Sequence, residues 1–169
     1  VRIEPLVVSE LMDRVVAESG GSDRIRITVA SQPDILVDAS LMVQALGNIV
    51  RNGLESMESD PTGELLDITV DEQRLRRPDG TLQDFTVFRI EDRGCGIPES
   101  DQERLFNPFF TTRASGTGLG LAIAHRVVDA HGGHIQVSDR AGGGTSFEVR
   151  VPAKTELDDI TSGDGGTST

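Results

Sequence analysis

The feature that most constrains this chain is a glycine-rich turn, Gly116-Thr117-Gly118-Leu119-Gly120-Leu121, which leads directly into an apolar, helix-like segment over 122–130. Alternating glycines let the backbone approach a ligand closely. The start of a helix presents unpaired N–H groups at the positive end of the helix dipole. This combination is typical of a phosphate-binding site. The sequence therefore predicts a nucleotide pocket whose other walls come from residues upstream of the turn.

The spacing of these glycines excludes several common nucleotide sites. Dinucleotide-binding folds use Gly-x-Gly-x-x-Gly directly after a strand, whereas this turn reads Gly-x-Gly-x-Gly and no strand-like run precedes it. The chain has no Gly-Lys-Ser/Thr of a P-loop and no His-Arg-Asp or Asp-Phe-Gly of a protein kinase. It also has no Cys/His cluster with the spacing of metal ligands.

Charge and composition restrict the class of protein further. The net charge of −12 argues against a nucleic-acid surface, so an anionic nucleotide would need cations or a metal concentrated at its site. The single cysteine, Cys95, predicts a reducing, cytoplasmic location. No apolar run approaches the roughly 18 residues needed to span a membrane. Because the chain begins at Val1 rather than Met, we expect it to be part of a longer protein.

The pattern of apolar residues predicts an α+β fold, a two-layer sandwich with helices on one face of a mixed, mostly antiparallel sheet. One helix is expected over 9–18, with Ser9 as its N-terminal cap. A long helix is expected to begin at Asp38 or Ser40 and to reach about Met57. The helix after the glycine turn is the third.

Strands are predicted where polar and apolar residues alternate between turn sequences: 24–30, 64–73, 85–91, 134–138 and 145–151. The second and third of these are expected to form one antiparallel hairpin, and the fourth and fifth another. Residues 1–8 are expected to be extended, 31–34 to form a turn, and 101–105 to form a short helical turn.

The long helix carries an unusual polar stripe. Asn48, Asn52 and Glu55 fall at i, i+4 and i+7, opposite the apolar face. Asparagine is a poor helix former, so two of them on an ordinary exposed face are unexpected. Two amide oxygens and a carboxylate suit a hard cation such as Mg²⁺. The alternative interpretation is a plain solvated helix face.

Two loop segments complete the candidate site. Asp92 directly follows a predicted strand and precedes Gly94 and Gly96, so it could accept a hydrogen bond from an exocyclic amine and distinguish adenine from guanine. The alternative is an ordinary turn. Residues 106–110 hold three of the six phenylalanines, which indicates a docked lid, a partner surface or a loop anchored in the core. Arg113 follows and lies near the expected phosphates.

Four of these segments, taken in order, resemble the conserved boxes of the ATP-binding catalytic domain of bacterial sensor histidine kinases, in the superfamily shared with gyrase, Hsp90 and MutL. The asparagine box, first glycine box, phenylalanine box and second glycine box correspond to 46–54, 92–98, 105–112 and 116–121. Residues 144–147 resemble the glycine box of the last strand. The likeness covers 1–152 and leaves 153–169, an acidic tail rich in Gly, Ser and Thr that is expected to be disordered.

The resemblance implies a role for each of the polar site residues. Asn52 would coordinate a Mg²⁺ that bridges the phosphates, and Asn48 would support the phosphates or a metal-bound water; these two are the implied catalytic residues. Asp92 would accept the adenine amine, with Thr145 nearby through water. The other implied ATP contacts, mostly backbone or lid residues, are Arg51, Gly94, Gly96, Ile97, Thr111, Thr112, Arg113, Gly116, Thr117, Gly118, Leu119, Gly120 and Leu121.

The chain departs from the family pattern at two positions. Gly53 stands where alanine is usual, which loosens the helix slightly. Glu55 stands where many members carry a lysine that touches phosphate, leaving Arg51 or Arg113 for that role. The lid is short, and we expect it to order over the phosphates only when Mg-ATP binds.

The implied reaction is transfer of the ATP γ-phosphoryl group to a histidine on a separate dimerisation domain, for relay to a response regulator. His125, His131 and His134 are interpreted as structural or surface residues, so the fragment is expected to bind ATP as a monomer without phosphorylating itself. The alternatives are a serine kinase of the anti-sigma-factor type and an ATP-driven clamp module. Clamp relatives place a water-activating glutamate where this chain has Asn48, which disfavours ATP hydrolysis.

Overall fold

A computed structural model describes residues 1–20, 23–59, 62–77, 79–114 and 116–153. The tail that was expected to be disordered lies outside these residues, apart from Ala153. Ala153 is buried, and its N–H donates to the carbonyl of Asp84 at 2.9 Å. The folded part of the chain therefore reaches one residue beyond the predicted boundary.

The strands are β1 (Glu4–Val7), β2 (Ile25–Val29), β3 (Asp34–Val37), β4 (Leu66–Arg76), β5 (Leu82–Glu91), β6 (His134–Asp139) and β7 (Thr145–Pro152). The helices are α1 (Val8–Glu18), α2 (Ala39–Ser56), α3 (Glu99–Gln102) and α4 (Gly120–Ala130). None of the helices described has the length and apolar character needed to cross a bilayer.

Five strands form one sheet in the order β2-β4-β5-β7-β6. Strand β2 runs parallel to β4, and every other pair in this sheet is antiparallel. Both predicted hairpins are thus confirmed, as is the mixed, mostly antiparallel α+β sandwich. A separate two-stranded sheet pairs β1 with β3 in antiparallel register.

Two local predictions were wrong. Residues 31–34 were expected only to turn, but β3 begins at Asp34; a four-residue strand is too short to show an alternating pattern. Ser9 does not cap α1, because the helix begins one residue earlier and Val7 takes the cap position without a side-chain hydrogen bond. The helical turn expected over 101–105 is present, and the helix that leads into it begins at Glu99.

The core lies between the sheet and the helices α1, α2 and α4. Its largest fully buried side chains include Phe88 and Phe147 from the sheet and Leu46 and Ile49 from α2. Burying each such side chain contributes about 1.5–3 kcal/mol relative to exposing it. The apolar face of α2, predicted from its spacing, is therefore the face packed on the sheet.

The opposite face of the sheet is polar. Glu148 lies between two arginines, accepting from Arg89 at 2.7 Å and from Arg150 at 2.7 Å. Burial opposes ionisation of Glu148, but the hydrogen bonds and charges of both arginines outweigh it and lower the pKa of this carboxyl. Ion pairs thus replace apolar packing on the face that carries no helix.

Helices α2 and α4 run antiparallel and are joined at both ends. Near the start of α2, the Asp38 N–H donates to Nε2 of His131 at 2.9 Å, and Nδ1 of His131 lies 2.6 Å from the Val127 carbonyl. Asp38 also caps α2, its Oδ1 accepting from the Leu41 N–H at 3.1 Å. His131 is therefore structural, in agreement with the sequence-based interpretation.

Candidate nucleotide-binding site

The polar stripe of α2 faces the first turn of α4. Asn48 is half-buried, and its Nδ2 donates to the Gly120 carbonyl at 3.0 Å. Its Oδ1 accepts from Nη2 of Arg51 at 2.9 Å. Asn48 therefore links the long helix to the glycine turn, which are the two elements expected to hold phosphates and metal.

Asn52 lies one turn further along α2 and is also half-buried. Its side-chain amide has no hydrogen-bond partner among the residues that the structure describes, so its oxygen is available to a ligand. Mg²⁺ usually binds one or two protein oxygens, with phosphates and waters completing the octahedron. Asn52 fits such a site without rearrangement, whereas Asn48 would first have to release Arg51.

The two candidate arginines differ in position. Arg51 donates to Asn48 and, through Nη1, to the Glu18 carbonyl at 3.5 Å, which ties it to the end of α1. Arg113 reaches α2 from the lid side: its Nη2 donates to the Asn52 carbonyl at 2.9 Å, and its Nη1 forms an ion pair with Oε2 of Glu55. Arg113 is thus the arginine that reaches the turn carrying Asn52.

Asp92 directly follows β5 and packs against α2, where a Cβ on Gly53 would lie 3.4 Å from the Cβ of Asp92. The residue is 2% exposed, and its Oδ1 accepts from the N–H groups of Gly94 at 2.9 Å and Thr145 at 3.2 Å. Burial raises the pKa of Asp92, while those two hydrogen bonds, a hydrogen bond with the Ser56 side chain and the charge of Arg113 act in the opposite direction. The backbone N–H groups thus occupy Oδ1, and the Ser56 side chain is a further partner of this carboxyl.

The first glycine segment packs tightly against α2. A Cβ on Gly94 would lie 2.3 Å from Oγ and 2.7 Å from the carbonyl oxygen of Ser56. Ser56 is the site residue that the sequence analysis missed, although its position four residues after Asn52 places it on the same stripe. Gly96 has a φ of +76°, in the left-handed region that favours glycine. Glycine is needed here for the backbone's path as well as for ligand access.

The last glycine before β7 belongs to the same cluster. Gly144 has a φ of +98°, and a Cβ there would lie 2.1 Å from the Asp92 carbonyl oxygen. The Asp92 N–H donates to the Thr145 carbonyl at 3.0 Å. Asp92 and Thr145, predicted from separate motifs, are therefore direct neighbours.

The phenylalanine segment is attached to the glycine turn. The Phe109 N–H donates to the Gly118 carbonyl at 2.9 Å, and a Cβ on Gly118 would lie 2.4 Å from the Phe109 carbonyl carbon. Phe109 has a φ of 67° and is 76% exposed. Phe106 instead packs on the core, with its ring 5.1 Å from that of His125. One phenylalanine therefore anchors the segment and another is left on the surface.

The remaining predicted site residues differ in their surroundings. Thr111 and Thr112 are both exposed, and Oγ1 of Thr111 accepts from the Arg113 N–H at 3.1 Å, which shapes the lid. Thr117 accepts from the Leu119 N–H at 3.4 Å at the start of α4. Ile97 is half-buried against the core. The structure thus brings the predicted segments to the two sides and one end of α2.

A separate depression lies away from this cluster. It encloses about 320 Å³ on the polar face of the sheet, between residues that include Leu75, Phe85 and Arg150. None of the predicted site residues lines it. The candidate nucleotide site rests on its convergent polar groups and not on this depression.

Comparison with known proteins identifies the family. Residues 37–155 match the family model described as "Histidine kinase-, DNA gyrase B-, and HSP90-like ATPase". The sensory histidine kinase/phosphatase NtrB of Rhizobium leguminosarum bv. phaseoli is 33% identical over 173 residues, covering 96% of this chain and 45% of that protein. The signal transduction histidine-protein kinase AtoS of Escherichia coli K12 is 54% identical over 119 residues, covering 70% of this chain and 18% of that protein.

Comparison with solved structures agrees. The full-length structure of ShkA in complex with AMPPNP aligns with a TM-score of 0.70 and 25% identity, covering 92% of this chain and 32% of that one. The chain thus spans less than half the length of these three proteins. The matched segment holds both the asparagine stripe of α2 and the glycine turn, and this chain belongs to the histidine kinase-, DNA gyrase B- and HSP90-like ATPase family.

Proposed function

We propose that this chain is the catalytic ATP-binding domain of a sensor histidine kinase, and that it transfers the γ-phosphoryl group of ATP to a histidine on a separate dimerisation domain. The observation that carries the proposal is the packing of Asp92 against Gly53 of α2, the residue next to Asn52. An acceptor for the adenine amine and an amide oxygen for the metal are thereby held by the same part of α2. The ATPase family and the likeness to a nucleotide-bound kinase support ATP as that nucleotide.

The adenine end is assigned to Asp92. Its Oδ2 would accept the exocyclic amine, which guanine replaces with a carbonyl oxygen that would face the carboxylate unfavourably. Thr145 lies beside Asp92 and could hold a bridging water. Gly96, near Gly144, leaves the approach to the ring free of side chains. Specificity for adenine therefore rests on a single buried carboxylate.

The phosphate end is assigned to Asn48, Asn52, Arg113 and the glycine turn. A bound Mg²⁺ would neutralise phosphate charge and orient the γ-phosphoryl group. Asn52 would hold it, and Asn48 would orient a phosphate or a water. The N–H groups at the start of α4 would donate to phosphate oxygens in the favourable field of that helix.

The reaction then depends mainly on positioning. The bond between the γ-phosphorus and the bridging oxygen breaks, its electron pair leaves with ADP, and an imidazole nitrogen of the acceptor forms the new P–N bond. Asn48 cannot act as a general base toward water, so the site favours transfer over hydrolysis. The relatives named above are histidine kinases and give no support to the serine-kinase or clamp alternatives.

The partners follow from the same proposal. The histidine-bearing dimerisation domain would belong to the same parent protein, which we propose to be a homodimer, and a response regulator would receive the phosphoryl group. We place the domain in the cytoplasm, where the exposed free thiol of Cys95 would remain reduced.

A phosphotransfer assay tests this function. The chain is incubated with γ-labelled ATP, Mg²⁺ and a dimerisation domain from a sensor histidine kinase relative, and the labelled acceptor is exposed to acid and to base. Acid-labile, base-stable label on the acceptor is expected. Label should be absent when the acceptor histidine is replaced by glutamine or when the kinase carries Asn52→Ala. Acid-stable label, or phosphate released without an acceptor, would refute the proposal.

A further inference from the structure

We propose that Glu55 is a positioning residue that holds Arg113 of the lid against α2, so that ATP must displace this ion pair before Arg113 can reach the phosphates. The proposal rests on the proposed function, because it assigns a control of affinity to the same nucleotide site. It also gives a role to the acidic residue that stands where the resemblance predicts a basic one.

Two contacts with a single turn of α2 fix the position of the Arg113 guanidinium. Its Nη1 forms an ion pair with Oε2 of Glu55, and its Nη2 donates to the Asn52 carbonyl at 2.9 Å. A guanidinium engaged at both terminal nitrogens has little freedom to turn elsewhere. The lid backbone supports this position, because the Arg113 N–H donates to Oγ1 of Thr111 at 3.1 Å.

The exposure of the pair makes it breakable. The side chains of Arg113 and Glu55 are 32% and 47% exposed. Ion pairs of this kind stabilise by roughly 0.2–1 kcal/mol, which corresponds to at most about a fivefold change in an equilibrium constant. Phosphate oxygens carry more charge and take bidentate hydrogen bonds from arginine, so a triphosphate can outcompete one carboxylate. The pair therefore reduces ATP affinity without preventing binding.

The charges around the Glu55–Arg113 pair also indicate that the pair lowers ATP affinity. The side chain of Arg51 hydrogen-bonds Asn48 and the end of α1. It therefore does not take the position of the Arg113 side chain beside Asn52. Glu55 also places a negative charge three residues from Asn52, next to the expected phosphates. Two effects of removing Glu55 would each strengthen ATP binding, release of Arg113 and reduced repulsion. The proposal assigns the effect to the release of Arg113, and an experiment must separate it from repulsion.

A double-mutant cycle separates them. Dissociation constants for Mg-ATP are measured by calorimetry for the wild type, Glu55→Gln, Arg113→Ala and the double variant. Glu58→Gln is the matched control, because Glu58 is exposed in the turn that follows α2 and its substitution removes the same charge. We expect Glu55→Gln to tighten binding about two- to fivefold, Glu58→Gln to have no such effect, and Glu55→Gln to change nothing once Arg113 is absent.

The side-chain NMR signal of Arg113 gives a readout without nucleotide. Its Nε–H resonance should shift in Glu55→Gln and remain unchanged in Glu58→Gln. The inference is overturned if Glu55→Gln and Glu58→Gln bind ATP equally, or if tightening persists in the Arg113→Ala background. Failure of the wild type to bind Mg-ATP at all would instead refute the proposed function, and the inference with it.

Discussion

Asp92 carries a carboxylate in a position where its own ionisation opposes folding. It is 2% exposed, and burial raises its pKa above that of an unfolded aspartate. Between the unfolded and folded pKa values the native state binds the additional proton. The ionised form therefore costs stability at neutral pH, and this cost disappears as the pH falls through the folded pKa. A buried carboxylate that lowers stability agrees with the proposed role of Asp92 in binding adenine.

Asp92→Asn should separate binding from stability. The asparagine oxygen can still accept from the Gly94 and Thr145 N–H groups, while the buried charge is gone. We expect unchanged or higher stability in urea at pH 7 and loss of detectable ATP binding, because the amide's N–H₂ would face the adenine amine. Asp13→Asn, on the exposed side of α1, is the control for both properties. A variant that binds ATP normally would remove Asp92 from the site.

Alanine substitutions at two glycines, Gly94 and Gly47, should change the unfolding free energy in opposite directions. Gly94 has no room for a Cβ, because the Ser56 backbone oxygen would lie at 2.7 Å, so Gly94→Ala should cost about 1–3 kcal/mol of unfolding free energy. In helix α2, a Cβ on Gly47 would meet only Nη2 of Arg51, at 4.0 Å. Gly47→Ala should therefore stabilise by up to about 1 kcal/mol through helix propensity. Equal effects in denaturant unfolding would contradict this packing.

At the level of elements, the site depends on the antiparallel pair of α2 and α4. The Asn48–Gly120 contact joins the pair at the phosphate end, and the Asp38–His131 contact joins it at the other end. The distance between the asparagine stripe and the glycine turn is therefore set by two polar contacts as well as by apolar packing.

His131→Ala tests the distal contact. The Asp38 N–H would lose its acceptor at a part-buried position, so we expect a loss of about 1–2 kcal/mol of unfolding free energy. His134 lies exposed on β6, and His134→Ala should change stability by less than about 0.5 kcal/mol. Urea denaturation of both variants provides the measurement. If the two variants lose equal stability, His131 does not join the helices as described.

Helices and strands with a clear periodic spacing of apolar residues were predictable from the sequence, whereas the short strand β3 was not. The 18-residue helix α2 and both hairpins show clear apolar spacing. Strand β3 has four residues, and its pairing with β1 joins segments that the sequence separates by a whole helix. The cap of α1 was misplaced because Ser9 has the preferred chemistry but lies one residue inside the helix.

At the scale of the whole molecule, the motifs were predictable as a set, but their contacts were not. The order of the boxes indicated a nucleotide site, and the sheet brings Asp92 and Thr145 together across β5 and β7. The Glu55–Arg113 pair joins residues 58 positions apart, and Ser56 gains its role from the loop that packs on it and from its hydrogen bond with Asp92. Such contacts depend on tertiary packing that no local pattern contains.

The acidic character of the chain makes this arrangement necessary. With a net charge of −12, the domain as a whole repels an anionic nucleotide. Under the proposed assignment, binding would depend on local groups: Arg113, the start of α4 and a cation at Asn52. Because the phosphates and the base are assigned to different residues, ATP affinity should require Mg²⁺, whereas selectivity for adenine over guanine should be independent of Mg²⁺.

Calorimetric titration of the wild-type chain with ATP and with GTP, each in Mg²⁺ and in EDTA, tests the central claim most directly. The account predicts measurable binding of ATP in Mg²⁺, at least tenfold weaker binding of ATP in EDTA, and no comparable binding of GTP under either condition. Equal affinity for ATP and GTP would contradict the role of Asp92. Binding of ATP that is indifferent to Mg²⁺ would contradict the role of Asn52, and absence of binding would contradict the site as a whole.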